Sequence, residues 1–287
     1  MANTPPHPHV LISSVNNFPT AAGLASSASG YAALVTALAA LHGVTDRDAL
    51  TTVARRGSGS ATRSMHGGFV KWHRGEKDDG SDSRAEALHR LRWPEMRVFV
   101  VVACGERKSV GSTEGMRRSV ETSELLMHRA EAVVPRRMER LEAAIERKNF
   151  PEFARVCMRE SDQLHAICAD SYPTIRYLNE TSERLKRMVA RINRDGEINR
   201  DGEICAYSFD AGPNCFLFCL EENASKLSAT VKKYFPSSSE PYFRGIPQDG
   251  AAGCFDLGGD FPVSENAVEY VICSDVGGGP EVKIIDC

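Results

Sequence analysis

The sequence contains no run of about eighteen apolar residues, so no helix long and apolar enough to span a bilayer is expected. It also lacks a charge excess. Its 35 Lys and Arg against 38 Asp and Glu leave a formal charge of -3, so neither a nucleic acid nor an anionic membrane surface is expected as partner. No CxxC pair occurs among the nine cysteines, whose number is odd. In a chain this long that speaks against a disulfide scaffold. His165 and Cys168 form an HxxC, but no second pair completes four zinc ligands. The cysteines therefore read as reduced, small apolar side chains of a cytosolic protein. MANTPPHPHV has no basic-then-apolar layout, so no secretory leader is expected. IIDC at the other end is no peroxisomal address.

What is present is the make-up of a globular protein: 42% apolar and 25% charged residues over 287 positions. That length predicts one large domain or two modest ones. HVLISSV (9–15) reads as a short strand. The Gly-, Ala- and Ser-rich NNFPTAAGLASSASG then opens a helix over Ser29 to His42, stopped by Gly43. A second helix is predicted with Asp46 as cap and Leu50, Val53 and Ala54 as its apolar stripe. RRGSGSATRS reads as a polar loop, HGGFVKWH as a strand, and 73–90 as a surface excursion. MRVFVVVAC (96–104) has the look of a strand buried on both faces.

The pattern over 116–148 is helical, with Pro135 breaking or kinking it. Further helices are predicted at 151–169 and 173–191. INRDGE at 192–197 is copied at once at 198–203. A six-residue copy is too short for a solenoid unit, which needs roughly twenty, so it reads as a lengthened hairpin or loop. ICAYSFDAGPNCFLFCL predicts strand, turn, strand, with both faces of the second strand apolar. A helix at 222–235 and a strand at 267–276 follow, and the mixture makes the class α+β.

Four segments carry residues fit for chemistry. In PTAAGLASSASG, glycine permits close backbone approach, and the helix start presents free N–H groups with partial positive charge. This suits a phosphate, and Ser26 and Ser27 add hydroxyls. No Lys-Ser/Thr follows, so it is not a Walker A loop. A tightly packed small-residue helix start reads equally well. RRGSGSATR sets serines and glycine between arginines, whose planar forks match carboxylate or phosphate. A solvated basic loop is the plain alternative. Asp210 closes an apolar strand in the tight FDAGPN turn, where an acid can orient or take a hydroxyl proton. Ordinary turn chemistry explains it too. GSTEGM precedes a helix, either as a second anion site or as a cap by Ser112 or Thr113.

Taken in order, NNFPTAAGLASSASGYAAL, ARRGSGSATRSMHGGFVKW, GSTEGMRRSVETSELL and AYSFDAGPN resemble the mevalonate diphosphate decarboxylase family of the GHMP kinase superfamily. The resemblance runs from about Val10 to VEYVICSDVGGGP. It implies a GHMP-kinase-like two-lobe α+β fold with its site in the cleft between the lobes. The remainder of the N-terminal ATP-binding lobe would occupy 1–94, and a C-terminal lobe carrying the catalytic aspartate 95–287. It implies ATP and Mg2+, a small-molecule substrate (mevalonate 5-diphosphate), a homodimer and a cytoplasmic location. The reaction would give isopentenyl diphosphate, ADP, phosphate and carbon dioxide, a step of isoprenoid and sterol synthesis.

By the same resemblance Asp210 matches the aspartate that orients or deprotonates the C3 hydroxyl, and Arg63 the arginine against the substrate carboxylate. Ser58, Gly59, Ser60, Ala61 and Thr62 match the loop beside that arginine, and Thr113 a further substrate contact. Gly23, Leu24, Ala25, Ser26, Ser27 and Ala28 match the loop around the ATP phosphates, with Ser27 the better match for its functional serine and a candidate ligand for the metal, which is otherwise held with ATP and at no fixed protein site. Thr62 stands where many members carry cysteine. Family members also carry a further N-terminal segment, with a lysine- and tyrosine-containing strand that grips substrate. The expectation is thus a truncated chain with an incomplete N-terminal lobe. Two alternatives stand beside it: a GHMP small-molecule kinase that stops at phosphorylation, and a catalytically impaired paralogue.

Overall fold

The computed structural model describes residues 9–20, 23–103, 108–198, 202–246 and 253–285, with side chains of 195–198 left aside. It divides into two compact units. The first holds Met1–Thr20, Ala25–Arg92 and Gly277–Cys287; the second holds Ala21–Leu24 and Trp93–Val276.

In the first unit, helix α1 (Ser26–Leu41) and helix α2 (Arg47–Gly57) pack with a single turn, α3 (Ala61–Ser64). Their common core is Ala28, Ala32, Val35, Ala54, Ala61 and Met65. Four of these six are alanine, which lets the helix axes approach closely. Gly43 ends α1 at φ 66°, with Val44 N–H donating to the Ala39 carbonyl, as a C-terminal glycine should. Asp46 caps α2 by accepting from Ala49 N–H at 3.1 Å. Val53 is exposed, so it does not belong to the buried stripe; Thr51 and Ala54 take that face. RRGSGSATRS is only briefly a loop: Arg55–Gly57 complete α2, and Ala61–Ser64 form α3 because Ala61 and Thr62 are buried there. Strands β1 (Val70–Trp72) and β2 (Ala85–Ala87) pair antiparallel, so part of 73–90 is sheet and not excursion. Residues 9–15 are not a strand. Among the described residues they have no strand partner, and Leu11 and Val15 lie almost fully exposed.

The second unit is built on a five-stranded sheet. Its strands are β3 (Met96–Val102), β4 (Ala206–Phe209), β5 (Cys215–Leu220), β6 (Phe243–Gly245) and β7 (Tyr270–Ser274), in the order β4-β5-β3-β7-β6. All pairings are antiparallel except β6 with β7. In β5 the period of two is plain: Cys215, Leu217 and Cys219 are fully buried, and Phe216, Phe218 and Leu220 face the other way. The first set joins Phe99 and Val101 in a core with residues of helices α8 (Glu180–Ile198) and α9 (Glu221–Tyr234). On the other side Phe218 meets Phe153 of helix α7 (Phe150–Asp170) edge-on at 5.6 Å. The seven described cysteines are free thiols. Burial pushes Cys219 and Cys273 up to about 12, so they act here as small apolar groups.

The long helical pattern of 116–148 is divided. Helices α4 (Ser112–Thr122) and α5 (Glu124–His128) run into a π-helical turn at Arg129–Val133, and then into α6 (Val134–Glu146). Pro135 stands in the first turn of α6, where its missing N–H is no loss, and the widened turn precedes it. Gly111, not Ser112 or Thr113, is the N-cap of α4, and no side chain caps that end. The helix expected at 173–191 begins only at Glu180. Neither is the first INRDGE copy a loop: it lies within α8 as far as Glu197. Ile192 fills the core, and Asn193 brackets the approach to β4, accepting from Cys205 N–H at 3.0 Å and donating to the Cys205 carbonyl at 2.9 Å. Asn199, Arg200 and Asp201 of the second copy lie outside the described residues.

Candidate functional site

Two candidate segments meet in the first unit. Ala25, the residue before α1, adopts a left-handed conformation with φ 54°. The first turn of α1 carries no acidic side chain and no side-chain cap. No acidic side chain of that turn offsets the partial positive charge of the helix start, which suits an anion. Ser27 is exposed in that turn, and its hydroxyl lies 3.0 Å from that of Ser58. The contact joins the small-residue loop to the serine-glycine segment. Gly59 packs under Trp72: a Cβ there would stand 3.2 Å from the indole. The guanidinium of exposed Arg63 lies over the same indole, 5.6 Å from the ring centre. Ala28, Ala61 and Thr62 are fully buried, so their side chains serve the core. Ser26 and Ser60 are half-buried.

The other candidates fall in the second unit. Asp210 follows β4 and is exposed, while Ala211, Gly212 and Asn214 beside it are buried. The turn is tied internally, with Gly212 N–H donating to the Asp210 carbonyl at 2.7 Å. Asn214 Oδ1 accepts from Ala103 N–H at 2.9 Å, anchoring the turn to the end of β3. Gly23, at φ 77°, presses against it: a Cβ on Gly23 would lie 2.6 Å from Cα of Gly212. Leu24 is buried. Thr113 is exposed in the first turn of α4.

Lys108, in the stretch just before α4, belongs with these residues. Its ammonium donates to Ser112 Oγ at 2.6 Å and lies 6.0 Å from the centre of the Tyr177 ring. Burial lowers its pKa, and the charge of Asp210 opposes that shift. Tyr177 is pushed up to about 12 by burial, with Cys168 and Asp210 adding to it. A lysine in a short polar loop carries no pattern that singles it out. The one available signal was its place four residues before Ser112, at a helix start. The second unit therefore places an exposed carboxylate, an ammonium and the hydroxyl of Ser112 at a helix start in one electrostatic neighbourhood. Such a group can hold a polyanion and accept a proton from a bound hydroxyl.

Residues 98–283 match the family model "Mevalonate 5-diphosphate decarboxylase C-terminal domain", and residues 2–85 match "Diphosphomevalonate decarboxylase-like N-terminal domain". A mevalonate diphosphate decarboxylase from Trypanosoma brucei superposes with a TM-score of 0.80 at 38% identity, over 92% of this chain and 70% of that one. The fold is thus the mixed α/β, GHMP-kinase-like type that these enzymes share. In sequence, the diphosphomevalonate decarboxylase of Danio rerio is 47% identical over 95% of this chain and 68% of its own. That of Homo sapiens is 45% identical over 97% of this chain and 69% of its own. The chain belongs to the diphosphomevalonate decarboxylase family, and it spans a little over two thirds of these relatives. A further solved structure, 31% identical with a TM-score of 0.64 over 76% of this chain and 64% of its own, is MDDEF in complex with MVAPP, AMPPCP and magnesium.

Proposed function

We propose that this chain catalyses the ATP-dependent decarboxylation of (R)-mevalonate 5-diphosphate to isopentenyl diphosphate, as a cytoplasmic homodimer. The observation that carries the reading is Asp210: an exposed carboxylate on a turn whose neighbours are buried and hydrogen-bonded, in a chain of this family. Asp210 accepts the proton of the tertiary C3 hydroxyl as its oxygen takes the γ-phosphoryl group of ATP. The C–O bond then breaks, releasing phosphate. The C–C bond to the carboxylate supplies its electron pair to C3, and carbon dioxide leaves. Asp210 returns its proton to the departing phosphate, and the carboxylate so restored offsets the positive character that develops at C3.

Arg63 holds the substrate carboxylate in its planar fork, and Trp72 beneath it limits where that fork can lie. Ser58, Gly59, Ser60 and Thr113 contact the same substrate, and Lys108 steadies its anionic end. Gly23 to Ala28 cradle the ATP phosphates. The uncapped start of α1, free of acidic side chains, fits that role. Magnesium arriving with ATP would neutralise phosphate charge, and Ser27 would offer it a hydroxyl oxygen.

The test is release of ADP and carbon dioxide by the purified chain with ATP, magnesium and mevalonate 5-diphosphate. Both are expected. ADP without carbon dioxide would replace the reading by a kinase, and neither from a folded sample would refute it.

A further inference from the structure

Strand β4 is an edge strand, so its outer backbone groups need partners from outside the sheet. Helix α7 supplies them. The Cys157 thiol lies 3.7 Å from the Tyr207 carbonyl, to which it donates. One helical turn on, Ser161 Oγ accepts from Phe209 N–H at 2.9 Å. Phe209 is the residue before Asp210, and both it and Ser161 are buried. A second hydroxyl meets the far side of the turn. Ser182 stands in the first turn of α8 and is fully buried. Its Oγ accepts from Asn179 N–H at 3.3 Å, and Asn179 Oδ1 accepts from Ser182 N–H at 3.0 Å, the reciprocal pair of a capping box. Ser182 Oγ donates to the Pro213 carbonyl at 2.8 Å, the nearer of its two acceptors, since Asn179 Oδ1 lies at 3.1 Å. Proline has no N–H, so that carbonyl is the one backbone group by which position 213 can be tied. Phe209 and Pro213 bracket Asp210, Ala211 and Gly212. The turn is thus anchored on each side of Asp210 by a buried hydroxyl from a different helix.

We propose that Ser161 and Ser182 are positioning residues for Asp210: their hydroxyls fix the two feet of its turn and so fix where the Asp210 carboxylate is delivered. The catalytic consequence rests on the decarboxylase reading, whereas the two anchors belong to the chain itself. A hydroxyl inside a helix commonly donates to the carbonyl four residues back, as Thr122 and Thr230 do here. The Ser161 and Ser182 hydroxyls reach across to another segment. Both are buried and engaged with backbone, so they act through Asp210 and not on the substrate. A carboxylate that must meet a single hydroxyl gains from such anchoring, because a displacement of about 1 Å at a reacting group costs on the order of 100-fold in rate.

The experiment compares Ser161→Ala, Ser182→Ala and Ser182→Cys with Asn149→Ala. The last is the control for stability alone: Asn149 caps α7 by accepting from Glu152 N–H at 3.1 Å and does not touch the turn. Two readouts are taken on each variant: hydrogen exchange at the Phe209 and Gly212 amides, and kcat with KM for both substrates. Ser161→Ala should speed exchange at Phe209, and Ser182→Ala at Gly212. Each should lower kcat by about tenfold or more with KM little changed, from the misplacement argument. Ser182→Cys keeps a donor of nearly the same shape, of the kind Cys157 already offers the Tyr207 carbonyl, and should recover part of the lost kcat. Asn149→Ala should melt at a lower temperature and keep the wild-type kcat. Wild-type kcat in both alanine variants, or an equal loss of kcat in Asn149→Ala, would overturn the proposal. Should Ser182→Ala not fold, wild-type kcat in Ser161→Ala would overturn it alone. If the wild-type chain releases no carbon dioxide, the decarboxylase reading fails, and unchanged exchange at Phe209 and Gly212 would then show that the serines do not hold the turn.

Discussion

Adding one carbon to Gly23 should damage catalysis as well as the fold. Gly23 has φ 77°, and a Cβ built on it falls 2.6 Å from Gly212 Cα, 2.7 Å from Gly212 N and 3.0 Å from the carbonyl carbon of Ala211. Ordinary carbon–carbon contacts lie at about 3.5–4.0 Å, so relief requires a shift of roughly 1 Å. All three neighbours are backbone, so no side chain can swing aside. The shift must fall on Gly23 or on the turn, and Asp210 is two residues from Gly212. Two costs follow in Gly23→Ala. The left-handed backbone costs about 1–2 kcal/mol, and overpacking adds about 1–3 kcal/mol. A displacement of about 1 Å at a catalytic group lowers kcat on the order of 100-fold.

Gly43→Ala is the control. Gly43 shares the positive φ, at 66°, but a Cβ there meets nothing within 4 Å. It should lose stability from backbone strain alone and keep its kcat. The assay is initial-rate ADP release at saturating substrates, beside thermal unfolding of both variants. A Gly23→Ala protein with kcat equal to that of Gly43→Ala would refute the claim that this glycine holds the Asp210 turn.

Asp210→Asn should abolish ADP and carbon dioxide release while leaving the melting temperature near wild type, because Asp210 is exposed; retained turnover would remove it from the mechanism. Arg63→Gln should lower kcat/KM for mevalonate 5-diphosphate and keep the fold, since the side chain lies on the surface over Trp72; an unchanged kcat/KM would exclude a carboxylate-holding role. Acid should weaken the fold before the carboxylates titrate. Burial holds the pKa of both His66 and His165 below 6.5, so the unfolded chain binds protons that the folded chain refuses, and stability falls as pH drops below 6.5. Melting temperatures at pH 7.5 and 5.5 check this, and equal values would contradict it.

Much of the local structure was legible because its causes are local. Asp46 as a cap, Gly43 as a stop, and the alternation of Cys215, Leu217 and Cys219 follow from side chains a few residues apart. Where local pattern misled, a distant partner had decided. HVLISSV has a strand's composition, but a strand needs a neighbour to bond. Val53 fits the helical stripe, but the packed face of α2 lies one side over, at Thr51 and Ala54. The first INRDGE copy looks like turn material, yet Ile192 and Asn193 are held in place by the core and the β4 approach, so the helix runs through it. Lys108 went unnoticed because its partners, Ser112, Tyr177 and Asp210, are gathered from three separate stretches.

The sequence by itself determined the family and the α+β class, and it pointed to Asp210, Arg63 and the serine-rich loops as candidates, because motif residues stand in a fixed order and wording along the chain. Only the tertiary structure decided how Asp210 is held. The approach of Gly23 to Gly212, the bond from Ala103 to Asn214 and the contacts of Cys157 and Ser161 along the edge of β4 join segments far apart in sequence. Periodicity reports which face of an element is buried. It does not report which backbone group on another element that face will meet, and here those meetings hold the turn that carries Asp210.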